Sequence, residues 1–143
     1  MDHVRSLFKE YAESLGFSLC FQDFDKELAG LPGAYAPPSG RLLLASVDGA
    51  PAACIALRRF ENDICEMKRL YVRPEFRGHA LGRKLIDEVL AAARDIGYTR
   101  MRLDTVSGVM DTAIALYRKY GFNEIAPYCV NPQKGVIYFE LML

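Results

Sequence analysis

Apolar residues recur at helical spacing near the start of the chain. Val4, Leu7, Phe8, Tyr11 and Leu15 share one face, which predicts a helix over residues 4–15 with Gly16 as its stop. Residues 17–24 show no clear period, and residues 25–29 (DKELA) suit a short second helix. Residues 31–40, LPGAYAPPSG, are too rich in proline and glycine for a regular element and read as a connector. The pattern then becomes strand-like. Residues 41–47 and 50–60 are strand candidates separated by Asp48-Gly49, a hairpin signal, with Pro51 at a strand start or edge. Glu61-Asn62-Asp63 reverses the chain into a third strand, 64–72, which Pro74 ends by disfavouring helix at Arg73. A long helix is predicted over about 78–95, with Leu81, Leu85, Val89, Ala92 and Ile96 as its apolar line and Gly97 as its stop. Residues 101–105 form a further strand, parallel to the third through a right-handed crossover. A helix over 111–120 stops at Gly121, and strands over 123–130 and 136–141 flank a turn at 131–135. Three strands, helix, strand, helix and two strands make an α/β fold, a mixed α+β sandwich of one domain spanning residues 1–143. The order differs from that of a dinucleotide-binding fold, because the glycine turn here follows an antiparallel series.

Composition narrows the function classes. At 143 residues, 51% of them hydrophobic, the chain can build a core without disulfides or metal. Eighteen basic and 18 acidic residues give a net charge of +0, so no global field attracts nucleic acid or an anionic membrane. No stretch has the length of a membrane span, and the charged residues 2–10 do not begin a signal peptide, which makes a cytoplasmic protein the expectation. Cys20, Cys54, Cys65 and Cys129 lack the close pairing of a zinc site and read as buried small residues in a reducing compartment. With only His3 and His79 beside them, no metal is expected.

The candidate chemistry lies in residues 64–82, ICEMKRLYVRPEFRGHALG. A strand ends in a basic turn, Arg77-Gly78-His79-Ala80-Leu81-Gly82, that opens the long helix. The first amides of a helix lack internal partners and its dipole favours anions, so small residues here suit close contact with a phosphate. The turn resembles the signature of the GCN5-related N-acetyltransferase (GNAT) superfamily, Arg/Gln-x-x-Gly-x-Gly/Ala at the start of its central helix. Arg77 and Gly82 match the outer positions, whereas Ala80 replaces the middle glycine and removes the freedom of a positive dihedral. Leu116-Tyr117-Arg118-Lys119-Tyr120-Gly121-Phe122 matches the family's second marker, a helix ending in Gly-Phe.

The resemblance implies a central mixed sheet flanked by helices, with parallel strands that splay to admit the pantetheine of acetyl-CoA. Members usually begin with a strand, and none is visible here. It also implies that the amides and side chains of Arg77, Gly78, His79, Ala80, Leu81, Gly82 and Arg83 hold the diphosphate. Backbone groups of Leu70, Tyr71 and Val72 meet the pantetheine, and Met110 stands where relatives place a cofactor-touching asparagine. Tyr117 corresponds to the tyrosine that faces the leaving thiol. Glu66 matches a catalytic glutamate, but Arg58, Lys68 and Arg69 lie near it, so a base and an ion-pair partner are both open. Phe24, Tyr35, Tyr128, Asn131 and Lys134 fall where relatives meet the acceptor, and Arg58, Arg69 or Lys134 are candidates for an acceptor carboxylate. The implied function is direct acetyl transfer from acetyl-CoA, as acyl donor, to a primary amine of a small molecule. A silent acyl-CoA-binding module and a protein N-acetyltransferase are the alternatives, and a homodimer is compatible with either.

Overall fold

In the computed structural model, which describes residues 1–15, 24–108, 110–129 and 133–143, six strands form one mixed sheet. The strands are β1 (Arg41–Val47), β2 (Ala50–Glu61), β3 (Ile64–Val72), β4 (Arg100–Val106), β5 (Asn123–Ile125) and β6 (Val136–Met142). Their order across the sheet is β1-β2-β3-β4-β6-β5, with β3 and β4 parallel and the other neighbours antiparallel. Asp48 and Gly49 both take positive φ, 51° and 82°, which closes the β1–β2 hairpin as its sequence demands. Among the described residues no strand precedes β1, which is an edge of the sheet. The expected stop at Gly16, Cys20, and Asn131 with part of its turn lie outside the described residues.

Helices cover both faces. On one lie α3 (Leu81–Ile96) and α4 (Asp111–Tyr120), packed over Ala53, Ile55, Leu57, Cys65, Met67 and Phe139. On the other, α1 (Asp2–Ser14) and α2 (Phe24–Ala29) set Leu7, Phe8 and Phe24 against Cys54, Ala56 and Tyr71. This two-sided cover explains why residues 52–57 of β2 are all buried and show no apolar–polar alternation. Among the described residues no helix is long and apolar enough to cross a membrane.

Four expectations change. Helix α3 starts at Leu81 rather than residue 78, because Gly78 (φ 94°) and Ala80 (φ 58°) adopt non-helical backbone. Its buried face is Leu81, Leu85, Ile86, Val89, Leu90 and Ala93, one step round from the line through Ala92. The expected strand over 123–130 ends at Ile125, just before Ala126 and Pro127. The 31–40 connector includes a 3₁₀ turn, Gly33–Tyr35, that sinks the Tyr35 ring against Phe8. A side chain at Gly40 would lie 2.6 Å from the Tyr35 backbone, so glycine is needed there for the close approach.

Candidate active site

Strands β3 and β4 pair over only three rungs, Ile64↔Arg100, Cys65↔Met101 and Glu66↔Arg102. Both continue, but β3 stays with β2 up to Ala53↔Val72 while β4 stays with β6 up to Val106↔Val136. A gap therefore opens past Glu66. On the β2 side of β3, Arg69, with a φ of 62°, makes a bulge that shifts the register between Cys54 and Ala56 of β2. Past the bulge, Arg73 N–H donates to Ala52 C=O across β2 (2.8 Å), so strand alternation turns the backbones of Val72 and Leu70 to the gap. The Arg77 Nε donates to Val72 C=O at 3.2 Å. The gap opens into a cavity of about 810 Å³.

The N-terminus of α3 borders this cavity. Its cap residue, Ala80, has no side-chain hydrogen bond to offer, which leaves the amides of Leu81, Gly82 and Arg83 without intrahelical partners. Arg77, Gly78, Ala80, Leu81, Gly82 and Arg83 all line the cavity, whereas His79 is exposed and does not. Ala80 holds the positive dihedral that an alanine was expected to forgo. A Cβ on Gly82 would meet Leu116 at 3.8 Å and Val72 at 3.9 Å, ordinary contacts, so only a larger side chain would intrude.

Helix α4 brings Tyr117 to the same cavity, together with Met110 at its start. The Tyr117 ring packs on Phe122 and Phe139, with centroids 5.7 and 6.3 Å away. Burial raises its phenol above the ordinary value, and the nearby Tyr11 and Asp104 add to this. Met110 Sδ accepts a hydrogen bond from Thr105 Oγ1 at 3.0 Å. Tyr120 ties α4 to α3, donating to Asp87 Oδ1 at 2.6 Å. Leu70, Tyr71 and Val72 complete the set that the structure brings together.

Glu66 is placed differently. It is 3% exposed, lies on the α1 face of the sheet and does not line the cavity. Arg58, its partner in the β2–β3 register, donates from Nε to Oε1 at 2.9 Å, and Tyr128 donates to Oε2 at 2.8 Å. Burial pushes the carboxyl up, but the charges of Lys68 and Arg58 and the hydrogen bonds from Tyr128 and Arg58 hold it below its usual value. Arg69 is likewise committed, with Nε and Nη2 donating to Glu27 at 2.8 and 3.0 Å. Of the other acceptor-region residues, Phe24 lies beneath the Arg69 guanidinium, and Lys134 is exposed. Sequence reasoning missed Asp104 and treated Lys68 only as a neighbour of Glu66. Both line the cavity from the α1 face, and continuing the Glu66–Arg102 register by two residues would have found them. Burial pushes the thiols of Cys54 and Cys65 up to about 12, which makes them poor nucleophiles, while Cys129 is exposed, against expectation. Among the described residues no group of three or more His, Cys, Asp or Glu side chains could hold a metal ion.

Comparison with known proteins agrees with this geometry. The model of the acetyltransferase (GNAT) family matches residues 2–122. An N-acetyltransferase of Schizosaccharomyces pombe is 40% identical over 143 residues, covering 99% of this chain and 87% of the relative. An acetyltransferase structure from Streptococcus agalactiae superposes with a TM-score of 0.83 at 20% identity, covering 100% of this chain and 93% of that one. A GNAT family acetyltransferase from Elizabethkingia anophelis, solved with acetyl-CoA bound, superposes with a TM-score of 0.65 at 21% identity, over 85% and 82% of the two chains.

Proposed function

The chain belongs to the acetyltransferase (GNAT) family, and from that premise we propose that it moves an acetyl group from acetyl-CoA to a primary amine of a small molecule. The observation that carries this reading is the parting of β3 and β4 after Glu66 and Arg102, into a cavity that meets an uncapped helix N-terminus and a buried tyrosine. At about 810 Å³ the cavity is within the usual range for ligand sites. Its donor set suits a diphosphate: three partnerless amides at the positive end of a dipole, flanked by Arg77 and Arg83. Acetyl-CoA supplies a thioester whose carbonyl carbon the amine attacks.

The chain's residues divide the remaining work. The α3 amides with Arg77 and Arg83 hold the diphosphate, and Leu70 and Val72 present backbone groups along the gap. A strand amide near Val72 serves the carbonyl oxygen, where a fixed donor is effective as negative charge develops. As the C–N bond forms and the C–S bond breaks, the Tyr117 hydroxyl gives its proton to the departing sulfur and is restored by the surplus proton of the new amide nitrogen. A phenol is protonated at neutral pH, so Tyr117 enters the reaction with that proton in place. The proton of the acceptor ammonium passes to solvent. Glu66 is assigned to holding Arg58 and Tyr128 and not to taking that proton, since it does not line the cavity.

Two variants test the assignment. Acetyl-CoA at 100 times its Kd stabilises the folded protein by about 2.7 kcal/mol, a rise in Tm of roughly 5–10 °C for a chain of this size. Gly82→Phe abolishes most of this shift while remaining folded, and an undiminished shift removes the phosphate site from α3. Tyr117→Phe keeps the shift but loses roughly 10- to 100-fold in turnover on a panel of primary amines followed by mass detection. Full turnover in that variant rejects the acid role. A thermal shift in the wild type without transfer to any amine makes the protein a binding module.

A further inference from the structure

The two edges of the sheet are guarded unequally. An edge strand presents unpaired N–H and C=O groups, and short length, proline, charge or a covering element normally keeps other chains from pairing with it. At one edge, β5 is three residues long and ends just before Ala126 and Pro127. At the other, β1 runs for seven residues, RLLLASV, with no proline and a single charge, Arg41, at its first position. The β1–β2 hairpin fixes which groups β1 offers. Its two-residue loop makes Val47↔Ala50 the hydrogen-bonded closing pair, so Ser46, opposite Pro51, turns its N–H and C=O away from β2. Alternation adds Leu44 and Leu42 to that outward row, because the register shift between Ala45 and Ser46 skips a residue of β2 and none of β1. Leu43, Ala45 and Val47 pack into the α3-side core. Leu44, on the opposite face with Leu42, is 40% exposed, and Ser46 is exposed beside it.

We propose that this edge is an interface between two copies of the chain, which pair their β1 strands antiparallel about a two-fold axis at Leu44 and join two six-stranded sheets into one. A two-fold contact has to be self-complementary, and β1 meets that condition. In this register Leu44 faces Leu44 of the second copy, and Leu42 faces its Ser46. The outward N–H and C=O groups of all three residues then enter an antiparallel ladder. The charges fit the same arrangement. Arg41 begins the strand and Asp48 follows its end, so antiparallel pairing sets each cation beside the other copy's anion, once at either end. Among the described residues neither has an ion-pair partner: Arg41 donates to the carbonyls of Pro38 and Gly40, at 3.0 and 2.6 Å, and Asp48 is exposed in the hairpin turn. An in-register parallel pairing sets Arg41 on Arg41 and Asp48 on Asp48 instead. The cavity lies beyond β2, between β3 and β4, and no β1 residue lines it, so each copy keeps its own site.

Sedimentation equilibrium of the whole chain tests this. At micromolar concentration the wild type has twice the mass of one chain. Leu44→Lys sets like charges directly opposite each other and sediments as a monomer. Arg41→Glu and Asp48→Lys are each monomeric alone, because like charges then meet at both ends of the interface. An equal mixture of the two regains the dimer, since both contacts of the mixed pair are attractive. Far-UV circular dichroism melts establish that each variant is folded. Leu44→Cys gives a reading independent of the turn, where Asp48→Lys places a bulky side chain at a φ of 51°. Mild oxidation links position 44 to itself across the axis, where facing Cα atoms are about 5.5 Å apart. Peptide mass mapping tells this disulfide from one at the exposed Cys129. A monomeric wild type overturns the inference. So does a dimer that survives Leu44→Lys, a mixture of folded charge variants that stays monomeric, or a Leu44→Cys protein that forms no such link.

Discussion

Burial pushes the Glu66 carboxyl up, but Lys68, Arg58 and Tyr128 together reverse that and hold it below its usual value. The sign of its pH dependence follows. A carboxyl whose folded value is depressed adds stability above its unfolded value, about 4.3, and loses it as pH falls through the folded value. Glu66→Gln removes that contribution and leaves Arg58 without its anion. Because the Arg58 side chain is 35% exposed and keeps some hydration, the loss at pH 7 falls below the usual range for a broken buried pair, about 2 kcal/mol. Urea unfolding of both proteins at a series of pH values from 7 downward checks this, and the gap between the two curves narrows as pH falls through the folded value of Glu66. A gap that does not narrow on acidification, or none at pH 7, contradicts the ion-pair role. The sequence put Arg58, Lys68 and Arg69 near Glu66 but could not choose among them. The choice depends on register: Arg58 faces Glu66 across β2 and β3, whereas a bulge turns Arg69 towards Glu27. Tyr128 arrives from 62 residues away, through a loop no local pattern describes.

Elements were easiest to read where punctuation and periodicity agreed. The β1–β2 hairpin, β3 and α4 fall at or within a residue of their expected bounds, because Asp48-Gly49, Pro74 and Gly121 each impose a backbone state on their neighbours. The start of α3 and the end of β5 were misread for related reasons. The helix was expected from about residue 78, yet Gly78 and Ala80, beside the cavity, both have positive φ. Strand β5 yields to Pro127 so that the following loop can bring Tyr128 to Glu66. Ala80 at φ 58° is a strained residue, since an L side chain in this region costs about 1–2 kcal/mol. Glycine relieves that strain but adds unfolded-chain entropy of about 0.4–1 kcal/mol. Ala80→Gly is therefore expected to stabilise the protein by about 0.5–1 kcal/mol, a Tm rise of roughly 1–4 °C by calorimetry. A fall in Tm shows that Ala80 is not strained where it stands.

Across the whole molecule, the two helical layers are attached to the sheet by different physics. Helices α3 and α4 bury a continuous apolar face, and their positions could be foreseen from periodicity. Helices α1 and α2 are also tied to β3 by charge: Arg73 meets Glu10 of α1 at 2.7 Å and Arg69 meets Glu27 of α2 at 2.8 Å. Arg69 also lies over the rings of Tyr11 and Phe24, 5.8 and 5.3 Å from their centroids. These ties join residues 42 and 63 positions apart, beyond the reach of any sequence pattern. They differ sharply in cost. The Arg69 side chain is 2% exposed, so Glu27→Gln strands a buried cation and is expected to cost about 3–5 kcal/mol. The Arg73–Glu10 side chains are 23% and 35% exposed, so Glu10→Gln should cost under about 1 kcal/mol despite its three hydrogen bonds. Replacing both charges in Arg69→Met/Glu27→Leu should recover most of the loss, since no ion is then left buried. Chemical denaturation of the three variants decides the matter. Equal losses from Glu27→Gln and Glu10→Gln refute the unequal attachment, and a double variant no better than Glu27→Gln shows that the Arg69 guanidinium is needed for the packing of Tyr11 and Phe24 themselves.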